Sequence, residues 1–190
     1  MSYSQAIADS SALKGLVTSA ATIGAFLGSS VVFKVADTIG RKNELVLGSS
    51  LYFTGSVLMF LSAFLSVSSN FDMFALIFAR VIYGIGIGFS MHGAPTYIAE
   101  MAPPTLRGLL VSLKEAFIVV GILAGYVIGY VLKDTLGGWK YMYGASSVVA
   151  AVMFIGTFAI PKSARFLLLS GAEESEVMRS INFVFRWVER

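Results

Sequence analysis

The sequence contains no cysteine and only one histidine. Disulfides and thiolate metal sites are therefore excluded, and no cluster of histidines and carboxylates with metal-ligand spacing is present. Charge is scarce as well. Asp, Glu, Lys and Arg make up 13% of the 190 residues, half the share of about 25% usual in soluble domains. Such a chain cannot cover a water-facing surface, which argues against a soluble globule and a disordered chain. The net charge of +3 is scattered between apolar runs rather than gathered in a patch, so nucleic acid is not an expected partner. What is abundant is apolar surface: 56% of residues are hydrophobic and the mean hydropathy is +0.79.

A hydrocarbon core about 30 Å thick takes about 20 helical residues. Five stretches qualify: about Gly15 to Phe33, Leu45 into the low 60s, Met73 to Ala94, Leu106 to Leu132, and Tyr141 to Ile160. The runs are continuous and lack strict alternation, so helices rather than barrel strands are predicted. The expected organisation is a non-cytoplasmic segment at 1–14, a five-helix bundle at 15–161 and a cytoplasmic tail at 162–190. Within the tail, Val177, Ile181, Val184, Phe185 and Val188 share one helical face, with Arg179, Arg186 and Glu189 opposite. A short amphipathic helix is predicted there, opened by Glu173, Glu174 and Glu176 and closed by Arg190 in the sense that suits the helix dipole.

Orientation follows from the bases in the loops. Lys34, Arg41, Lys42, Arg107, Lys162, Arg165, Arg179, Arg186 and Arg190 fall on one side; Lys14, Lys133 and Lys140 fall on the other. The richer side is expected in the cytoplasm. Trp139, Tyr141 and Tyr143 suit the outer interfacial belt. Five spans then place the N-terminus outside. The first segment lacks the basic start and separate short apolar core of a signal peptide. An N-out start on a bare span leads to the expectation of a helix before Met1.

Polar residues inside the spans are the candidate functional groups. Arg80 lies roughly 10 Å below the outer surface at about 1.5 Å per residue. There it either snorkels to the headgroups or pairs with a carboxylate. No acidic residue in the sequence is an obvious partner, since Asp72 is near the surface and Glu115 is near the midplane. Glu115 shares a stripe with Ile118, Val119 and Ile122, and a midplane carboxylate beside aliphatic walls reads as a ligand or proton site. An ion pair with Lys114 is the structural alternative, weakened because helix neighbours point about 100° apart. His92 is two residues from Ser90, and side chains two apart on a helix do not face each other, so a Ser–His intramembrane protease is not expected. Glycines recur four apart in three spans, at Gly24 and Gly28, Gly84 and Gly88, and Gly121, Gly125 and Gly129; such rows let helices approach closely.

The loop motifs resemble a known family. They are Asp37-Thr38-Ile39-Gly40-Arg41-Lys42, Arg80 to Gly88, Pro95 to Gly108, Gly138-Trp139-Lys140-Tyr141-Met142-Tyr143, and Pro161-Lys162-Ser163-Ala164-Arg165-Phe166-Leu167. Their order and spacing are similar to the sugar porter family of the major facilitator superfamily. Met91 to Glu115 is most similar to its proton–xylose symporter-like and vacuolar glucose transporter-like branch. The resemblance implies an all-α membrane protein, the partial N-terminal half of such a bundle. The five transmembrane helices correspond to helices 2 to 6 of twelve, with helix 1 and the C-terminal half as partners.

By the same resemblance, Asp37, Gly40, Arg41, Lys42, Glu100, Arg107 and Arg165 belong to a cytoplasmic charge network. Arg80 corresponds to the arginine of proton coupling. Glu115, Ile118, Val119 and Ile122 correspond to substrate contacts. The sequence departs from the family at Phe33, Thr38, Lys162 and Ala164, and carries Glu115 where glutamine is common. The implied activity is alternating-access transport of a monosaccharide, hexose or pentose, coupled to protons and without cofactor. A non-transporting fragment that acts by helix association and a polyol or inositol carrier remain open. The membrane is also open between the plasma membrane and an organelle such as the vacuole or plastid.

Overall fold

The computed structural model describes residues 11–64 and 69–188, with side chains described for 12–64 and 73–182. Every element among them is a helix. Five are long and apolar enough to cross a membrane: α1 (Ser11–Ile39), α2 (Arg41–Phe64), α3 (Ser69–Met101), α4 (Arg107–Leu132) and α5 (Gly138–Ala159). Two shorter helices follow, α6 (Ala164–Leu169) and α7 (Glu174–Val188). The protein is an integral membrane protein with an all-α fold. Its outer surface is apolar: Phe26, Val152 and Ile155 are 71%, 68% and 68% exposed, which is stable only against lipid.

α3 is the centre, with α1 on one side and α2 on the other. The glycine rows explain how. Gly84 and Gly88 face Gly24 and Gly28 of α1, and a Cβ on Gly88 would lie 2.6 Å from the Ala25 carbonyl oxygen. Gly86, two residues on and so on the other side of α3, meets α2, where a Cβ would lie 2.5 Å from the Tyr52 nitrogen. Small residues thus bring backbones into contact on two faces of one helix. The third row behaves differently: Cβ atoms on Gly121, Gly125 and Gly129 of α4 would meet nothing within 4 Å. α4 touches α3 and α5 only lightly, and no residue of it is buried.

α2 and α5 are joined mainly through side chains, with Gly144 of α5 lying under the Phe60 ring of α2. Ser49 and Thr157 hydroxyls are 3.1 Å apart in a buried pair, Ser147 donates to the Ser56 carbonyl at 3.0 Å, and Phe53 stacks on Phe154. Two apolar clusters fill the bundle, one around Val17, Met59, Leu76 and Ala79, the other around Val32, Ala36 and Phe89.

The third span is longer than its composition indicates. Expected to stop near Ala94, it runs through Pro95 to Met101. Proline removes a backbone donor, yet membrane helices tolerate it where neighbours and hydroxyls re-satisfy the freed groups. Beside it the Thr96 hydroxyl donates to the carbonyls of His92 and Gly93, next to the Met91 carbonyl whose donor the proline removes. The first span also extends, to Ile39, and turns at Gly40, whose φ of 84° suits glycine. In α7, Val177 is buried as its apolar face implies, and so is Ser180, which donates to the Lys162 carbonyl at 2.7 Å. Val184, Phe185, Arg186, Val188, Glu189 and Arg190 lie outside the described side chains, as does Asp72.

Candidate functional site

The most densely charged site lies where α1 ends and α2 begins. Gly40 reverses the chain, so Arg41 opens α2 one step from the last turn of α1. Its Nη2 donates to Asp37 Oδ1 at 2.8 Å, and its Nε donates to Glu100 Oε1 at 3.1 Å. The fork of the guanidinium holds two carboxylates from two helices at once. Ser163, at the N-cap of α6, donates to the other oxygen of Glu100 at 2.5 Å. Phe166 of α6 packs its ring against Gly40, where a Cβ would meet it at 2.8 Å. Three separated sequence motifs therefore meet at Arg41 and Glu100.

Below this surface sits Glu44, which is 1% exposed. Its Oε1 is 2.6 Å from His92 Nδ1, and its Oε2 is 3.9 Å from Arg41 Nη1. Neither Oε2 nor Nη1 has a hydrogen-bond partner among the described residues. The Phe33 ring meets the imidazole edge-on at 5.1 Å between centroids. A pocket of about 540 Å³ opens beside the cluster, lined by Asp37, Arg41, Glu100, Arg165, Phe166 and Ser170 among others.

Of the residues expected in the charge network, Asp37 and Glu100 both bind Arg41, and Gly40 forms the turn that precedes it. Arg165 lines the pocket and makes no ion pair among the described residues. Lys42 stands apart: its Nζ is 3.5 Å from the Phe158 carbonyl, at the negative end of α5. Arg107 is exposed at the start of α4 and makes no ion pair among the described residues.

Arg80 takes a partner from a different helix. Its Nη2 donates to the Tyr143 hydroxyl at 2.9 Å, and its guanidinium carbon is 5.6 Å from the centroid of that ring. Its Nε is buried without a hydrogen-bond partner among the described residues. Tyr143, expected in the outer aromatic belt, is turned inward instead, beside Val17, Met59 and Leu76. Trp139 packs against it edge-on.

Glu115 corrects one expectation. Lys114 Nζ lies 2.6 Å from Glu115 Oε1. The two Cβ vectors diverge, but the four-carbon lysine stem is long and flexible enough to come round. Glu115 is 64% exposed. Ile118 is half-buried, and Val119 and Ile122 are exposed on the same open face of α4.

Sequence reasoning missed Glu44, Ser163 and Tyr143 and set His92 aside. Glu44 had a usable signal, an acid three residues after Arg41 on the face that a helix brings round. It was hidden because the second span was drawn from Leu45. No grouping of three metal-ligating side chains occurs among the described residues.

The profile of the family described as "Sugar (and other) transporter" matches residues 1–186. In Arabidopsis thaliana, "D-xylose-proton symporter-like 3, chloroplastic" is 45% identical over 159 residues, 84% of this chain and 27% of its own length. "D-xylose-proton symporter-like 2" from the same plant is 48% identical over 155 residues, 82% of this chain and 29% of its own. The "D-xylose transporter" of Levilactobacillus brevis is 34% identical over 83% of this chain and 33% of its own. The chain thus spans under a third of the two plant proteins. Among solved structures, the partially occluded inward-open xylose transporter XylE from E. coli superposes with a TM-score of 0.78 at 23% identity, over 93% of this chain and 47% of that one. XylE bound to 6-bromo-6-deoxy-D-glucose gives 0.78 at 26% identity, over 93% and 42%.

Proposed function

Because the chain belongs to the sugar (and other) transporter family, we propose that it supplies one wall of a monosaccharide carrier that works by alternating access and is driven by protons. The observation that carries this reading is the convergence of Asp37, Arg41, Glu100 and Ser163 at one end of the bundle. A few modest charge pairs at an open helix end bias a two-state equilibrium without locking it. That is what a latch between the halves of a carrier requires. Arg107 and Arg165, exposed on this chain and without an ion pair among the described residues, are left to pair with groups of the opposite half.

The names of the plant relatives support sugar as cargo and the proton as its companion. In this reading Arg80, held by a neutral tyrosine, keeps its charge available for a carboxylate on a helix outside this chain. Protonation of that carboxylate would release it. Glu115, Ile118, Val119 and Ile122 form the sugar wall on the open face of α4. There the carboxylate accepts sugar hydroxyls and the aliphatic groups cover the ring. Transport makes and breaks no covalent bond, so the activity is not enzymatic.

The test is uptake by proteoliposomes containing the complete carrier, with the 190-residue chain alone beside it. The complete protein is expected to accumulate a pentose or hexose under an inward proton gradient, and the chain alone is not. Glu115→Gln should keep sugar affinity, whereas Glu115→Leu should weaken it, because hydroxyls would face an apolar wall unpaired. Accumulation of inositol or another polyol in place of xylose and glucose would transfer the reading to a polyol carrier. No saturable uptake of any of these would end it.

A further inference from the structure

Glu44 is a carboxylate with 1% of its surface exposed, one oxygen on an imidazole and the other 3.9 Å from Arg41 Nη1 without a hydrogen-bond partner among the described residues. Such a group is costly unless it is paired. His92 is 21% exposed, so the imidazole opens to the outside of the bundle while the carboxylate beneath it is covered. With Nδ1 donating to Glu44 Oε1, the second ring nitrogen is left to accept a proton. We propose that Glu44 and His92 form a proton-binding site that governs how strongly Arg41 is held by Glu100.

The coupling is electrostatic and passes through Arg41. A proton adds to Nε2 of the neutral imidazole, and no bond is broken. With the imidazole neutral, the carboxylate of Glu44 is uncompensated and draws on Arg41 Nη1, 3.9 Å away. With the imidazole charged, the Glu44 charge is spent within its own pair. Arg41 is then left to Asp37 on α1 and Glu100 on α3. Among the described residues, the charged and titratable groups that face the pair are Arg41 from α2, and beyond it Asp37 and Glu100. α1 otherwise presents the Phe33 ring to the imidazole, and α3 presents Gly93 to the carboxylate, where a Cβ would lie 3.0 Å from Oε1. That close approach fixes the carboxylate against α3. Acidification of the compartment at this end should tighten the Arg41–Glu100 contact. The proposal extends the latch reading of that contact, but the site and its coupling lie wholly within this chain.

The chain has one histidine, which makes the test direct. The 190-residue chain in lipid nanodiscs is labelled with ¹⁵N-histidine and ¹⁵N-arginine, and spectra are recorded between about pH 8 and about pH 5, the range in which an imidazole ordinarily changes charge. The Arg41 Nε–H signal is assigned by its loss in Arg41→Lys. The imidazole signals are expected to pass from the neutral to the charged pattern. The Arg41 Nε–H proton should move downfield along the same pH course, as its bond to Glu100 strengthens. In His92→Gln, whose amide still donates to Glu44 but does not titrate, the Arg41 signal should stay fixed. In Glu44→Gln the imidazole should still change charge while the Arg41 signal no longer follows. An imidazole pattern that does not change, or an Arg41 signal that moves equally in His92→Gln, overturns the proposal. Should both variants fail to fold, the unmodified chain decides: different pH courses for the two signals overturn it. No sugar or transport enters the measurement, so its outcome is separate from that of the carrier reading.

Discussion

Tyr143 and Arg80 are bound twice over: the hydroxyl accepts from the guanidinium at 2.9 Å, and the ring lies 5.6 Å from the guanidinium carbon. A neutral partner of this kind shields a membrane-embedded arginine without cancelling its charge. Tyr143→Phe removes the hydrogen bond and keeps the ring. It should cost about 1 kcal/mol of stability, read by denaturation in mixed micelles. Tyr143→Leu should cost at least about 0.5 kcal/mol more through the lost cation–π contact. Equal stability of all three proteins would show that the contact carries no weight.

Arg41 engages Asp37 and Glu100 through different nitrogens of one planar group. Lysine is a single point donor on a flexible stem and cannot reproduce the fork. Arg41→Lys is expected to lower stability by roughly 1–3 kcal/mol, because Glu100 is 12% exposed and would lose a charged partner. Ser163→Ala should cost about 1 kcal/mol through its bond to Glu100 and the cap of α6. Thermal unfolding of the detergent-solubilised chain measures both; an Arg41→Lys midpoint equal to that of the unmodified protein would contradict this account.

The glycine rows give a sharp contrast within one protein. Gly88→Ala places a methyl 2.6 Å from the Ala25 carbonyl oxygen and 2.7 Å from the Ser29 nitrogen. Backbone cannot yield as a flexible side chain does, so a loss of about 1–3 kcal/mol or more is expected. Gly125→Ala meets nothing within 4 Å and should be neutral or stabilising by up to about 1 kcal/mol through helix propensity. Comparable losses at both positions would mean that α4 is packed as tightly as α1.

The excess of Lys and Arg predicts that the turn at Gly40 and the segment after Arg165 face the cytoplasm, with Ser69 on the other side. Glycosylation or alkaline-phosphatase reporters placed at these three points read the arrangement. A reporter at Ser69 that behaves as cytoplasmic overturns it.

The number and order of the spans were legible because lipid demands long apolar helices and few other signals compete. Their ends were less so. Pro95 reads as a terminus in the sequence, yet α3 continues through it to Met101. The three glycine rows are alike in sequence, yet only neighbouring helices decide that Gly24, Gly28, Gly84 and Gly88 are filled and that Gly121, Gly125 and Gly129 are open. Asp37, Arg41 and Glu100 were visible as motif residues. Glu44 and His92 were not, because a bond between residues 48 positions apart depends on the register of α2 against α3. The Lys114–Glu115 pair stays open in the sequence for a different reason: the backbone directions diverge, and only the length of the lysine stem lets the two charges meet.

The proline within α3 divides that helix mechanically. On its N-terminal side, Gly84, Gly86 and Gly88 clamp the backbone between α1 and α2, and little can slide there. At Pro95 the donor that would bond the Met91 carbonyl is missing, which makes this turn the softest place in the rod. The six residues beyond it, ending at Met101, carry Glu100. A small bend at Pro95 would therefore swing Glu100 relative to Arg41 while leaving the glycine clamp undisturbed. α3 acts as a fixed post with a hinged tip, and the tip holds the carboxylate on which the charged cluster closes.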